Sequence, residues 1–273
     1  IMITASHLPY NRNGLKFFTA AGGADKEDIQ KILSYAAEAE EAHGTLDNVL
    51  KFDLIGRYSE YLVDKIRTAL GGTEKPLAGM HIVVDAGNGA GGFFAGRILT
   101  PLGADTSGSQ FLQPDGHFPN HIPNPEDKAA MLAIKEAVIE SDADLGLIFD
   151  TDVDRMSAVL ADGTDVSRNA LIAMMAAILA PDYPGSTIIT DSVTSDGLHD
   201  FLEKDLHLKH LRYMRGYKNV INECIRRNEA GEVSPLAIET SGHGALSENY
   251  FLDDGAYLAV KLIIAAAQAR AES

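Results

Sequence analysis

Three aspartates leave an apolar run at alternate positions. Asp150, Asp152 and Asp154 follow the segment DLGLIF, and Arg155 comes next. In an extended segment, residues two apart share a face. The spacing therefore predicts three short carboxylates converging at a strand end. Such a group repels itself unless a cation neutralises it. Oxygen-only ligands favour Mg²⁺, which commonly takes phosphate oxygens as well. A solvated acidic loop is the plain alternative. A calcium loop of the EF-hand kind does not fit, because Arg155 stands where glycine is required and Ala161 where the bidentate glutamate would be.

Other segments carry chemistry-bearing residues at similar places. Ser6 and His7 follow Ile1-Met2-Ile3, an apolar run that reads as the end of a buried strand, and Lys16 lies beyond the Asn13-Gly14 turn. Gly216-Tyr217-Lys218 sits between a strand and a helix. That helix end favours anions, so a lysine there makes most sense with an anion bound between the two. Glu239, Ser241 and His243 leave the strand PLAIE at alternate positions, an acid, a hydroxyl and an imidazole suited to gripping vicinal hydroxyls. Each is individually matched by an ordinary turn, cap or solvated side chain.

The elements that must position these residues alternate. Helices are predicted over 25–42 and 57–70. A strand follows at 80–86, a helix near 91–101, and a helix opened by Asn124 as N-cap with Pro125 in its first position. Next come a strand over 144–150, then a hairpin turning at Asp162-Gly163. Helix 168–180, strand 186–193, helix 195–204, strand 208–214, helix 217–229, strand 235–239 and helix 255–270 complete the order. This alternation predicts an α/β fold of two complete three-layer units with mainly parallel mixed sheets, preceded by the C-terminal part of a similar domain. The expected divisions are 1–50, 51–166 and 167–273. In such sheets ligands bind beyond strand ends, where all the candidate residues lie.

Composition narrows the partners. A net charge of -16 argues against a nucleic-acid or anionic-membrane surface. The longest small-apolar run, at 170–180, is too short to span a bilayer. The single cysteine, Cys224, forbids an internal disulfide and suits a reducing compartment. The cytoplasm is expected, with an organelle such as a plastid as the alternative. No obligatory protein partner is readable.

Taken together and in this order, Thr4-Ala5-Ser6-His7 with Asn13-Gly14-Leu15-Lys16, Asp150 to Arg155, Gly216-Tyr217-Lys218 and Glu239 to His243 resemble the alpha-D-phosphohexomutases of the phosphoglucomutase/phosphomannomutase type. The resemblance spans nearly the whole chain. It implies interconversion of hexose 1-phosphate and hexose 6-phosphate through a phosphoserine and a bisphosphate intermediate. Ser6 would carry the phosphoryl group, and Asp150, Asp152 and Asp154 would hold Mg²⁺ against it. Lys16 and His7 would move protons. Arg155 and Lys218 would add positive charge, Glu239 and Ser241 would grip sugar hydroxyls, and His243 would lie beside the substrate. Glucose 1,6-bisphosphate is implied as activator. Two departures stand out. Leu8-Pro9 replaces the usual Asn-Pro. The family fold also has three similar domains and a smaller fourth, whereas this sequence reads as the tail of the first with the second and third. A weakly active or inactive fragment is therefore expected.

Other readings fit parts of the sequence. A non-catalytic sugar-phosphate-binding relative would keep the fold. Asp150-Thr151-Asp152-Val153 also fits the nucleophile motif of haloacid-dehalogenase-type aspartyl-phosphate phosphatases, although that motif usually sits on a domain's first strand. Gly87-x-Gly89-x-x-Gly92, with Asp105 further on, matches a dinucleotide fingerprint of an NAD-dependent oxidoreductase, but the segment after Ala104 makes a poor second strand.

Overall fold

The computed structural model describes residues 1–6, 8–19, 22–40, 44 and 49–272. Its N-terminal part is built from short ribbons. β1 (Met2–Ile3) pairs antiparallel with β2 (Leu15–Lys16), and β3 (Phe18–Thr19) with β4 (Gly22–Gly23). Helix α1 (Lys26–Glu38) begins with a reciprocal cap. Asp25 accepts from the Asp28 amide, and the Asp28 carboxylate accepts from the Asp25 amide. The expectation of a buried strand at the start is corrected. Ile1 is 79% and Ile3 74% exposed, because β1 has β2 as its strand partner and no helix layer packs on it among the described residues.

Helix α2 (Leu54–Ala69) leads into the first full sheet, ordered β5 (Ile82–Asp85), β6 (Leu145–Phe149), β7 (Met156–Leu160), β8 (Asp165–Val166). β5 runs parallel to β6, and the other two pairings are antiparallel. β5 and β6 are buried throughout, as continuous apolar runs must be when both faces are covered. Helix α3 (Lys128–Ser141) covers one face, with Ile134 and Val138 against Val83, Ile148 and Val159. Leu62 and Ile66 of α2 share the other face with Phe94 and Ile98. The predicted helix near 91–101 is wider than an α-helix over Phe94–Leu99 and then tightens, ending at Pro101-Leu102, where Pro101 has no N–H to continue it. The start of α3 is also corrected. Asp127, not Asn124, is its N-cap, accepting from the amides of Ala129 and Ala130.

The second full sheet is ordered β10 (Lys209–Tyr213), β9 (Thr187–Asp191), β11 (Leu236–Ile238), β12 (Gly244–Leu246). β9 is parallel to both neighbours and β12 is antiparallel to β11. β12 was not anticipated, because Gly244 and Ala245 read as loop. α6 (Tyr217–Glu229) covers one face through Val220, Ile221 and Cys224. α4 (Arg168–Leu179), α5 (Asp196–Asp200) with the wider turn Phe201–Asp205, and α7 (Gly255–Glu272) complete the element order. α4 and α7 lie on the other face. Their apolar residues are continuous with those of α2, so one core joins the two sheets. No helix among the described residues is long and apolar enough to cross a membrane.

A polar contact reinforces that junction. The Tyr58 hydroxyl on α2 sits 2.6 and 2.7 Å from the two oxygens of Asp254, just before α7. Burial pushes the Asp254 carboxyl up, while Tyr58, Asn249 and the Tyr257 amide pull against it. Tyr58→Phe removes the strongest of these donors. Unfolding in urea should show a loss of about 1.5–3 kcal/mol, the value of a hydrogen bond to a charged group, with an unchanged slope. No loss would mean that the apolar core alone fixes the junction.

Candidate active site

The acidic residues occupy the hairpin loop between β6 and β7. They do not converge by strand alternation, as the spacing suggested. The loop closes on itself: the Asp150 amide donates to the Arg155 carbonyl at 3.3 Å, and the Arg155 amide donates to Asp150 Oδ1 at 3.1 Å. Val153 sits at φ 68°, a left-handed conformation that a β-branched residue seldom adopts. Tight closure, not extension, brings one oxygen of each carboxylate within 4.8 Å of the others.

Glycines let neighbouring loops touch this turn. A Cβ at Gly89 would lie 2.7 Å from the Thr151 backbone, and the Ala90 amide donates to the Thr151 carbonyl. A Cβ at Gly92 would run into the Leu112 carbonyl. Close packing, of Gly89 on the acidic loop, Gly92 on Leu112 and Gly87 on Pro123, thus accounts for the G-x-G-x-x-G pattern. Asp105 accepts from the Ser107 amide in its own turn. On the far side, a Cβ at Gly242 would lie 2.8 Å from the Met156 carbonyl oxygen, so the loop carrying Glu239 to His243 rests on the strand that leaves Arg155.

Cations surround the carboxylates. Arg155 Nε lies 3.0 Å from Asp150 Oδ2. Lys16 Nζ is 3.1 Å from both Asp152 Oδ2 and Asp154 Oδ2. Burial works against the Lys16 charge, but Asp154 and Asp152 outweigh it and hold the ammonium above its ordinary range. Asp152 is likewise buried, and Lys16 with the Thr4 hydroxyl, 3.0 Å away, holds its carboxyl below the ordinary range. Asp150 is fully buried. Burial and the charge of Asp154 push its carboxyl well up, against the pull of Arg155.

Ser6 reaches this cluster from more than 140 residues away in sequence. Its Oγ lies 3.5 Å from Asp150 Oδ2 and 3.4 Å from Arg155 Nη2, and its amide donates to Thr4 Oγ1 at 2.9 Å. Ser6 adopts φ 51°, a strained geometry for a non-glycine residue. His7 lies outside the described residues.

The loop after β11 supplies the other wall. Glu239 accepts from the Gly216 amide at 2.6 Å, and Ser241 Oγ lies 3.4 Å from Glu239 Oε2. Burial pushes the Glu239 carboxyl up. His243 Nδ1 lies 2.7 Å from Asp253 Oδ2 and 3.7 Å from Asp154 Oδ1. Burial opposes the imidazolium, but Asp253 and Asp154 outweigh it and raise the His243 pKa, while burial lifts Asp253 to about 6. The Tyr217 ring stacks on His243 with centroids 4.8 Å apart. Lys218 stands apart from the carboxylates, its Nζ donating to the Ala24 carbonyl at 2.7 Å.

Three participants escaped sequence reasoning. Asp253 stands just before α7, a position that reads as a helix cap. Tyr217 was passed over for the lysine beside it. Asn124 accepts from Arg155 Nη1 at 3.0 Å, although its sequence context reads as a helix start. A cleft of about 760 Å³ opens beside the cluster, lined among others by Thr4, Lys16, Asp152, Asp154, Tyr217 and Asp253.

Comparison with known proteins gives this arrangement a family. The alpha/beta/alpha domains I, II and III of phosphoglucomutase/phosphomannomutase match residues 1–43, 57–163 and 167–273. The chain belongs to the phosphoglucomutase/phosphomannomutase family. It is 31% identical to a phosphomannomutase/phosphoglucomutase of Pseudomonas aeruginosa over 96% of this chain and 54% of that protein. Against a phosphoglucomutase of Neisseria gonorrhoeae the identity is 29%, with the same two coverages. A crystal structure of a phosphoglucomutase/phosphomannomutase family protein from Burkholderia thailandensis superposes with a TM-score of 0.78 at 28% identity, covering 97% of this chain and 55% of that one. The chain thus spans about half the length of these family members.

The donor set fits a hard divalent cation. Asp152 and Asp154 each turn Oδ2 to Lys16, and the Oδ1 of each is buried without a hydrogen bond. Buried, unbonded carboxylate oxygens are costly unless a cation takes them. Lys16→Met should therefore cost about 1–3 kcal/mol in chelator, a range discounted for the partial exposure of Lys16. Saturating Mg²⁺ should narrow the gap. Thermal melts of both proteins with and without Mg²⁺ check this. Equal Mg²⁺ responses would mean that the ion binds elsewhere.

Proposed function

We propose that the chain is the phosphoryl-transfer core of a phosphohexomutase that interconverts hexose 1-phosphate and hexose 6-phosphate, with Ser6 as carrier. The observation that carries this is the placement of Ser6 Oγ between Asp150 and Arg155, at the mouth of a carboxylate loop suited to Mg²⁺. Phosphoryl transfer depends chiefly on positioning and on neutralising the oxygens of the transferred group. Bound Mg²⁺, held by Asp150, Asp152 and Asp154, would supply charge beside the phosphoserine. Arg155 adds a fixed cation there, anchored by Asn124 and Asp150.

In the forward half, a sugar hydroxyl attacks phosphorus. The P–O bond to Ser6 breaks, a P–O bond to the sugar forms, and the hydroxyl proton leaves to a base. The product is a hexose 1,6-bisphosphate. In the return half, the other phosphate passes back to Ser6 and its former oxygen is protonated. The part-buried Asp253–His243 pair, Lys16 and His7 would be the candidates for taking and returning such a proton. The raised charge of Lys16 makes it an acid in this state, and it would become a base only once Asp152 and Asp154 are neutralised. Glu239 and Ser241 would take sugar hydroxyls, and Lys218 would turn from Ala24 toward a substrate anion. Glucose 1,6-bisphosphate would serve as activator by recharging Ser6.

The divisions 1–50, 51–166 and 167–273 would assign the serine loop, the metal loop and the sugar loop to separate domains. Because these residues match half the length of their relatives, the 273-residue polypeptide by itself should turn over weakly. The cytoplasm suits a protein with one buried, unpaired cysteine. The aspartyl-phosphate alternative is disfavoured by Asp150, whose oxygens accept from the Arg155 amide and guanidinium and which is fully buried.

Incubation with glucose 1,6-bisphosphate and Mg²⁺, followed by phosphopeptide mass spectrometry with an acid-treated aliquot, tests the carrier. Acid-stable phosphate on Ser6, absent in Ser6→Ala, is the expected result. Acid-labile phosphate on Asp150 or Asp152 would transfer the role to the aspartates. No phosphate on any residue would favour a sugar-phosphate-binding relative.

A further inference from the structure

The segment 111–124, which leads from β5 toward α3, is pinned by a buried pair outside the carboxylate cluster. His121 Nε2 lies 3.0 Å from both oxygens of Asp85, at the end of β5, and the two side chains are 4% and 0% exposed. His121 Nδ1 lies 3.0 Å from the Ile122 carbonyl oxygen. Both ring nitrogens therefore face acceptors. The Ile122 carbonyl has no proton to give. The Asp85 carboxylate already receives the Gly87 amide and the Gln110 side-chain amide, each at 2.8 Å. Only a doubly protonated imidazole offers a donor to each side. His121 is thus an imidazolium whose charge balances a fully buried carboxylate.

The pair leads by a short path to Arg155. The Ile122 carbonyl also accepts from the Asn124 amide at 2.8 Å, so one oxygen ties His121 to the turn that presents Asn124. Pro123, inside that turn, is pressed on Gly87, where a Cβ would lie 2.7 Å from the Pro123 Cβ. Asn124 Oδ1 accepts from Arg155 Nη1, while Nε of the same guanidinium donates to Asp150 and Nη2 faces Ser6 Oγ.

We propose that His121, paired with Asp85, is a positioning residue: its Nδ1–H seats the Ile122–Asn124 turn, and Asn124 in turn aims the Arg155 guanidinium at Ser6. The consequence for catalysis rests on the phosphoryl-transfer reading above, whereas the seating of Arg155 does not. On losing one proton, the ring keeps Nε2–H on Asp85, the stronger acceptor. A bare Nδ1 lone pair then faces the Ile122 oxygen. The two repel, and the turn shifts under Asn124. The charged groups that face the ring are Asp85 from β5 and Asp127 from the cap of α3, and the Phe111 ring meets it edge-on with centroids 5.4 Å apart. Burial opposes the imidazolium, but Asp85, the Ile122 carbonyl and Asp127 outweigh it and raise the His121 pKa above its ordinary value. With a raised pKa, the seat is fully present below the ordinary imidazole value and is lost as pH rises through the folded-state one.

The test is a ¹⁵N titration of the 273-residue protein from about pH 6 upward. His121→Gln assigns the ring signals, and its thermal melt verifies folding. In the wild type at neutral pH, both His121 ring nitrogens should carry the protonated signature. The Arg155 side-chain signals should move as the ring loses its proton. In Asn124→Ala that movement should vanish while the His121 titration persists. Ser6 phosphorylation by glucose 1,6-bisphosphate with Mg²⁺ should slow by about tenfold or more across the same titration, a loss that a small misplacement far from the chemistry produces. In His121→Gln the rate should be low throughout, with no such alkaline limb. A neutral His121 ring at neutral pH, or Arg155 signals that ignore its titration, would overturn the proposal without recourse to any variant. An alkaline limb shared by the wild type and His121→Gln would reduce the pair to a structural contact. If the wild type takes no phosphate, the carrier role of Ser6 fails, and the Arg155 signals still decide the seating.

Discussion

Three carboxylates share one short buried loop, and this is the constraint on which the site is built. At separations within 4.8 Å, two such charges repel by about 3 kcal/mol or more at the effective dielectric of a protein. Burial adds a desolvation cost to each. The loop can fold this way only if positive charge is delivered to it from outside. Arg155 supplies one guanidinium from the next residue in the chain. Lys16 supplies an ammonium from a segment more than 130 residues earlier. The same contacts that relieve the repulsion also bring the Ser6 segment onto the loop. Electrostatic compensation and assembly of the candidate site are therefore one event.

That coupling divides the site into two mechanical parts. The acidic loop, Arg155 and the Glu239–His243 loop stand on strands packed into the shared core. They also lock to each other, since the Gly255 amide donates to the Val153 carbonyl at 2.9 Å and Arg155 bridges to His243. The Ser6 segment stands on a ribbon of two two-residue strands whose apolar side chains are largely exposed. Its position is set by the Thr4–Asp152 hydrogen bond and the Lys16 ion pairs more than by burial. Such contacts are directional but individually modest.

Much of this was legible in the sequence, and the failures have physical causes. Buried strands such as β5, β6 and β9 announce themselves as apolar runs. The helices after them carry turn and cap signals, and the order of elements followed. That Ser6, Asp150 to Asp154 and Glu239 to His243 would lie just past strand ends was readable from the apolar runs before them. Their geometry was not. Alternation suggested an extended Asp150–Asp154 face, whereas hydrogen bonds between Asp150 and Arg155 and the left-handed Val153 make a closed turn. Asn124 looked like a cap because its local context favours one, and its Oδ1 does accept from the Glu126 amide, but it also accepts from Arg155, 31 residues away, and the helix starts after Asp127. Ile1 to Ile3 looked buried because apolar residues usually are, but burial needs a covering layer, and sequence pattern does not report whether one is there. β12 was hidden by its glycine and alanine: Ala245 pairs with Ala237, and Gly244, paired with Ile238, leaves room for Leu258.

The two left-handed residues at the site, Ser6 and Val153, follow from the same arrangement. Each such conformation costs on the order of 1–3 kcal/mol and persists only where the surroundings over-determine it. Val153 is held because its carbonyl must meet the Gly255 amide and because the turn must close around Asp150 and Arg155. Ser6 is held by its amide on Thr4, whose hydroxyl is itself spent on Asp152. The strain at both positions is therefore maintained by bonds that end on the acidic loop or on the residues flanking it. Whatever changes the charge of that loop acts on the backbone that carries the serine. A bound cation would tighten it, and loss of Lys16 would slacken it. Neutralising the carboxylates is thus the step on which the shape of the whole site depends.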